Sequence, residues 1–404
     1  MPKGRSLHIG VNRLNPASYL YDDVAADVYT VFVPDGDDLK EVSGERYLIG
    51  WLGPLGNAPE YDLGCEKDAD DMAELARQRG IEDDRITVLK TGDATAENVT
   101  RAIEQAAADL EPGDLFLVTY SGHGAHAKDS ELRPDEAEGY DETWCLYDRM
   151  LLDDEQRYLY SKFRPGVRIL VLLDSCHSGS GTRSAPGESA GDEDGGRIRI
   201  RSAPDGLDKA IYEYGDNARF YDGIQVALEQ RIDEEAGTNP EVGKRNFSVV
   251  SLSACQDSQK AKGDDIHGGW FTNAVTAALT DGNYRNYYEF RDAVIAQLER
   301  AHPTATQEPQ LDHGLADSWG MQKAIEERRP LSDAEWEQEF ARIDAEREST
   351  NAERSEQNRA RQAMDPPKPP LRLLEPLSAR EKQALRHLGE FLREEPLRIG
   401  DSSG

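Results

Sequence analysis

Residues 115–126, LFLVTYSGHGAH, and residues 168–181, RILVLLDSCHSGSG, decide the fold. Each begins as an unbroken apolar run and ends in small and polar residues. Such runs, without polar alternation, are expected of strands whose two faces are both covered, as in a parallel sheet between helices. Outward from them, short apolar runs alternate with helical patterns. Residues 6–11 (SLHIGV), 86–90 (ITVLK) and 247–252 (FSVVSL) read as further strands, beside 114–119 and 168–173. Residues 66–80 read as a helix with an acidic start that stops at Gly80, and 95–110 as one beginning near Thr95 and Asn98. Residues 269–280 and 287–301 are helical in pattern. The reading is an α/β fold with a mostly parallel central sheet flanked by helices.

Three insertions interrupt this alternation. Residues 12–60 contain a hairpin-like stretch, YTVFVPDGDDLKEV; 127–165 is acidic and reads as loop. Residues 181–246 lack helical or strand periodicity for much of their length, and Gly, Ser, Pro and Asp dominate their first part, as in a surface loop. Beyond residue 330 the chain becomes a charged helical extension. Residues 332–364 have few large apolar residues, PPKPP at 366–370 is a stiff spacer, and 378–394 form an amphipathic helix with Leu385, Leu388 and Leu392 at helical spacing. That helix either packs on its own domain or binds a partner. The expected division is a main domain over 1–330, with parts 1–180, 181–246 and 247–330, and an extension over 331–404.

Composition narrows the function. Against 47 Lys+Arg stand 78 Asp+Glu in 404 residues, a net charge of −31. Nucleic-acid binding needs clustered positive charge, and anionic lipid would be repelled, so neither partner is expected. The extension holds 16 acidic and 12 basic residues, so −27 falls on the first 330. That excess serves solubility or attracts basic substrates. The four cysteines, Cys65, Cys145, Cys176 and Cys255, show no CxxC spacing, which points to a reducing compartment. The opening MPKGRSLHIGVNRL lacks a signal peptide's apolar stretch, and no run approaches the ~20 apolar residues of a membrane span. A cytoplasmic protein is expected. Arg far outnumbers Lys, a mark of a GC-rich prokaryotic genome.

The two deciding stretches also carry chemistry. His123 follows one strand and Cys176 the other, and ligands of parallel sheets bind at the strands' carboxyl ends. Small neighbours, Ser121, Gly122, Gly124, Ser175, Ser178 and Gly179, leave backbone N–H groups open to a developing oxyanion. A thiol needs a nearby base or cation to become a good nucleophile. Taken singly, a Cys after a strand can be a buried apolar residue and a His structural; the pair on one edge favours catalysis. His126 could pair with His123 on a metal, but no third ligand stands at usable spacing for zinc.

YSGHG followed some fifty residues later by DSCHSG resembles the signature of caspase-like cysteine peptidases, in particular the metacaspase and prokaryotic caspase-homologue branch. HIGVN near residue 8, Cys65-Glu-Lys-Asp68-Ala, GYDETWCLYD, SACQDSQKA with GGWFT, and PQLDHG resemble further family segments in order, over roughly residues 6–315. The resemblance implies the caspase-haemoglobinase fold and a cysteine endopeptidase. Cys176 would be the nucleophile, His123 would handle the proton, and the backbone N–H groups of Gly124 and Cys176 would form the oxyanion hole. His177 reads as structural.

The resemblance also bears on specificity. Asp68 and Asp174, with Ser121 and less directly Asp257, would line a pocket for Arg, then Lys, since carboxylates pair with guanidinium in two parallel bonds. Asp68 could instead serve a helix end, and Asp174 a turn. Asp141, Asp153 and Asp154 resemble the family's calcium ligands, but Arg183 stands where an acidic ligand is common, so no cofactor is expected to be required and calcium is a lesser alternative. The loop over 181–246 resembles the linker that caspase-like precursors cut. Its basic residues Arg183, Arg197, Arg199, Arg201 and Lys209 are candidate activation sites within 181–219, for the enzyme itself or for an upstream protease; an uncut insertion is the plainer alternative. Rival functions are a caspase-fold scaffold and a thiol hydrolase of small substrates. Protein substrates with exposed Arg or Lys are the expected partners.

Overall fold

The computed structural model describes residues 3–15, 30–35, 38–43, 64–128, 140–175, 192–193, 196–200, 215–236, 247–256, 259, 261–264, 266–282, 284–312, 329–364, 373–394 and 396–397. In chain order the elements are β1 (Gly4–Gly10), β2 (Thr30–Asp35), β3 (Asp38–Ser43), α1 (Cys65–Gln78), β4 (Ile86–Lys90), α2 (Ala96–Asp109), β5 (Leu115–Ser121) and β6 (Gly124–Lys128). Then come β7 (Tyr140–Cys145), β8 (Met150–Leu152), α3 (Asp153–Tyr160), β9 (Arg168–Asp174), β10 (Asp192–Glu193), β11 (Gly196–Ile200) and α4 (Gly215–Ala236). The last are β12 (Ser248–Ser253), β13 (Lys262–Asp264), β14 (Gly268–Gly269), α5 (Trp270–Asp281), α6 (Tyr287–Ala301), β15 (Gln310–Asp312), α7 (Asp333–Gln362) and α8 (Ala379–Phe391).

The central sheet runs β15-β12-β9-β5-β1-β4. Its pairs are parallel except β12 with the edge strand β15. The apolar runs are strands buried on both faces, and their period of two divides each between two cores. Phe116, Val118 and Tyr120 of β5 and Ile169, Val171 and Leu173 of β9 face a core shared with α2 and α3. Leu115, Leu117, Leu170 and Leu172 face the opposite core, shared with α1, α5, α6 and α8. Strand order reverses at β1: β4 is added on one side and β5 on the other, the place where such sheets bind ligands.

Local chemistry sets the helix ends. Thr95 caps α2, its hydroxyl accepting the Asn98 N–H at 3.2 Å. Asn286 does the same for α6 through the Glu289 N–H at 2.9 Å. Ser332 with Glu335 and Ser378 with Glu381 form reciprocal capping boxes at the starts of α7 and α8. The hairpin expected in YTVFVPDGDDLKEV is β2–β3.

Two expectations need correction. The stretch 127–165 is not all loop: β6, β7 and β8 form an antiparallel sheet there and α3 follows. Its many acidic side chains mask the strand alternation. The stretch 181–246 includes β10, β11 and the 22-residue α4. Phe220, Ile224, Leu228 and Ile232 recur every four residues and pack on the α2/α3 core, a helical stripe hidden by the Gly/Ser/Pro-rich segment before it.

The amphipathic stripe of the extension is buried in the protein's own core. Leu385, Leu388 and Leu392 of α8 and its flank lie with Leu170 and Leu172 of β9 and Val250 and Leu252 of β12. Among the described residues no helix is long and apolar enough to cross a membrane.

Candidate active site

β5 and β9 are adjacent and parallel, with Ser121 opposite Asp174. Alternation puts both side chains on the face covered by α1 and α5. His123 comes two residues after that level on one strand and Cys176 two residues after it on the other. Cys176 lies outside the described residues; Ser175, just before it, is fully buried.

His123 is buried where the chain turns from β5 into β6. Its backbone is pinned from two sides: its C=O accepts the Tyr120 hydroxyl at 2.7 Å and the Cys145 N–H at 3.0 Å. Tyr120 is itself fixed by stacking on Trp144, with ring centres 5.1 Å apart. The turn needs Gly122, because a Cβ there would stand 2.5 Å from the Tyr120 hydroxyl. Gly124 opens β6 opposite Trp144.

Asp68 and Asp174 come together around the start of α5. Helix α5 begins after Gly269, which offers no side-chain cap, so the first N–H groups need other acceptors. Asp68 Oδ1 takes the Gly269 N–H at 2.8 Å, and Asp68 Oδ2 accepts the Ser121 hydroxyl at 2.6 Å. Asp174 Oδ2 takes the Thr272 N–H at 2.9 Å and the Thr272 hydroxyl at 2.7 Å. Both carboxylates are almost fully buried, at 1% and 2% exposure. Negative charge is favourable at a helix N-terminus, so two carboxylates from other elements serve as the cap of α5. The helix-end alternative foreseen for Asp68 is therefore realised on a helix distant in sequence. Gly268 has φ +83°, and a Cβ there would collide with Asp68 Oδ1, so glycine is required for this approach. Asp68 and Ser121 also line a small cavity whose apolar walls come from Met72, Leu172, Phe271 and Val275.

The remaining sequence candidates divide as follows. Asp257, Arg183, Arg201 and Lys209 lie outside the described residues. Arg197 and Arg199 belong to β11, whose backbone pairs antiparallel with β13. Asp141 belongs to β7 opposite Ala127. Asp153 and Asp154 begin α3, where Asp153 Oδ1 accepts the Asp154 N–H at 2.8 Å and Asp154 pairs with Arg157. Among the described residues no three His, Cys, Asp or Glu side chains converge on a common point. Sequence reasoning missed Thr272, and also Asn12, whose Oδ1 accepts the Cys65 N–H at 2.8 Å at the start of the helix that carries Asp68. Both sat inside quoted motifs, GGWFT and HIGVN, with no spacing signal of their own.

Comparison with known proteins agrees with this geometry. The caspase domain model matches residues 60–318. Metacaspase-1 of Mycosarcoma maydis is 30% identical over 61% of this chain and 65% of its own. Metacaspase-4 of Arabidopsis thaliana is 28% identical over 58% and 62%. The chain thus spans just under two thirds of the length of these curated relatives. The crystal structure of a Geobacter sulfurreducens protein is 32% identical, covers 77% of this chain and 93% of that one, and superposes with a TM-score of 0.52. With its mostly parallel sheet and its His and Cys motifs on neighbouring strand ends, the chain belongs to the caspase-domain family.

Proposed function

We propose that the protein is a cysteine endopeptidase that cuts protein substrates after Arg, and less readily after Lys, and is made as a latent precursor. The observation that carries this reading is the Ser121–Asp174 register. It sets Ser121 and Asp174 at one level of the sheet, each two residues before His123 or Cys176 in sequence, and Asp68 is bonded to Ser121. Cys176 gives its thiol proton to His123 and attacks the scissile carbonyl, with the Gly124 and Cys176 N–H groups receiving the oxyanion. The C–N bond breaks as His123 gives a proton to the leaving amine, and water then hydrolyses the thioester. The charge of a basic side chain matches the carboxylates of Asp68 and Asp174.

Latency is supported by β11. This strand carries Arg197 and Arg199 and pairs with β13, whose hairpin partner β14 supplies the Gly269 N–H to Asp68. The linker thus touches the segment that shapes the pocket, and cleavage within 181–219 would free it. The buried thiols Cys65, Cys145 and Cys255 suit a cytoplasmic setting. No cofactor enters this mechanism, and calcium at Asp141, Asp153 and Asp154 is left to a chelator.

The test uses matched fluorogenic peptides ending in Arg, Lys or Asp, with and without calcium or chelator. Wild type, Cys176→Ala and a form nicked in the 181–219 loop are compared. Cleavage after Arg, weaker after Lys, absent after Asp and abolished in Cys176→Ala is the expected result. Silence from the nicked wild type would support the scaffold alternative, and cleavage that survives Cys176→Ala would remove the nucleophile.

A further inference from the structure

Asp174 is held by a residue that carries no charge. Thr272 occupies the third position of α5 and is 5% exposed. Its N–H and its hydroxyl both donate to the same oxygen of Asp174. Two donors from one residue fix that oxygen more firmly than one would. The N–H belongs to the helix and stays whatever the side chain. The hydroxyl is the replaceable part.

We propose that Thr272 is a positioning residue for recognition of the basic side chain: its hydroxyl fixes Asp174 Oδ2 and thereby the direction in which this carboxylate meets the substrate's charge. The inference rests on the reading that Asp68 and Asp174 select Arg and Lys. Arg and Lys should feel it unequally. A guanidinium holds its donors in a rigid planar fork and needs its acceptor fixed in place, whereas an ammonium is a compact charge with rotatable donors. Loosening Asp174 therefore penalises Arg more than Lys.

Thr272→Val keeps the shape and removes the hydroxyl; Thr272→Ser keeps the hydroxyl and removes the methyl. The linker-nicked protein is assayed with matched Arg and Lys peptides. Loss of one hydrogen bond to a charged group predicts that Thr272→Val lowers kcat/KM for Arg about tenfold, mainly through KM, and for Lys about threefold or less. Thr272→Ser restores the wild-type Arg-to-Lys ratio. An equal loss on both peptides, a fall confined to kcat, or a Ser variant as poor as Val would overturn the proposal. Thr272→Ala is a second hydroxyl-free form, checked by thermal melting. If neither Val nor Ala folds, the hydroxyl is structural and the positioning role falls. Failure of nicked wild type on both peptides would refute the specificity reading itself and this inference with it.

Discussion

His8 takes no part in the proposed chemistry, yet it is the buried group whose charge the fold resists most plainly. It is fully buried in β1, with Nδ1 2.9 Å from the Thr119 hydroxyl and Nε2 2.9 Å from the Ser6 hydroxyl. Hydroxyls donate or accept, so a neutral ring satisfies both contacts. Burial lowers the His8 pKa from 6.5 to about 3, and the positive Arg77 adds to the effect. The unfolded chain therefore binds a proton that the folded chain refuses between those values. Its contribution is complete above about pH 6.5 and is lost as pH falls toward 3, at about 1.4 kcal/mol per pH unit within the window. The urea midpoint of wild type should fall more steeply from pH 7.5 to 5.5 than that of His8→Gln. Equal slopes would mean that His8 does not govern this acid sensitivity.

At the scale of elements, the site depends on how strand ends hold helix starts. α1 begins after Gly64, whose φ is +69°, and has no side-chain cap from its own first turn. Asn12, just past β1, supplies it from 53 residues away: its Oδ1 accepts the Cys65 N–H at 2.8 Å and the Glu66 N–H at 3.2 Å. This sets where α1 starts, and Asp68 lies in that first turn. Gly10 lets β1 come this close, since a Cβ there would strike the Cys65 carbonyl. Asn12→Ala should cost about 1 kcal/mol in denaturant unfolding, and Asn12→Asp, which keeps the acceptor, should recover most of it. An Ala variant as stable as wild type would show that the cap is dispensable. The contrast between α1 and α2 explains what could be read in advance. Thr95 caps its own helix, so the start of α2 was legible in sequence, as were the apolar runs of β5 and β9 and the residues at their ends. Asn12 for α1, and Asp68 with Asp174 for α5, cap across the fold, and local spacing carries no trace of such partners. For the same reason Asp174 could be named from its motif while Thr272, which bonds to it across the fold, could not.

For the whole molecule, the linker and the extension decide what a cut in the linker would do. The part after residue 219 grips the sheet on both faces. On one face α4 is held through Tyr221, whose hydroxyl accepts the Met150 N–H at 2.9 Å, and through Glu235, which accepts the Tyr158 hydroxyl at 2.7 Å. In the middle β12 pairs along β9. On the other face Arg168, at the start of β9, donates to Glu394 at 2.6 Å, and the Ser248 hydroxyl donates to the Ala384 carbonyl at 3.0 Å. The extension is tied down in turn: Asn351 of α7 exchanges two hydrogen bonds with the backbone of Leu374, at 2.6 and 2.7 Å, and Arg347 pairs with the buried Glu381 at 2.9 Å. Each fully buried leucine or phenylalanine adds about 1.5–3 kcal/mol, and α8 places Leu385, Leu388 and Phe391 in the core shared with β9 and β12. The two pieces of a protein cut within 181–219 should therefore co-elute in native buffer and separate only in denaturant. Leu388→Ala, at a position 2% exposed, should lower unfolding stability by about 2–5 kcal/mol. The Leu388→Ala cut form should then separate at a lower urea concentration than the cut wild type. Pieces that part in native buffer, or an unchanged midpoint for Leu388→Ala, would mean that the extension does not help hold the two halves together.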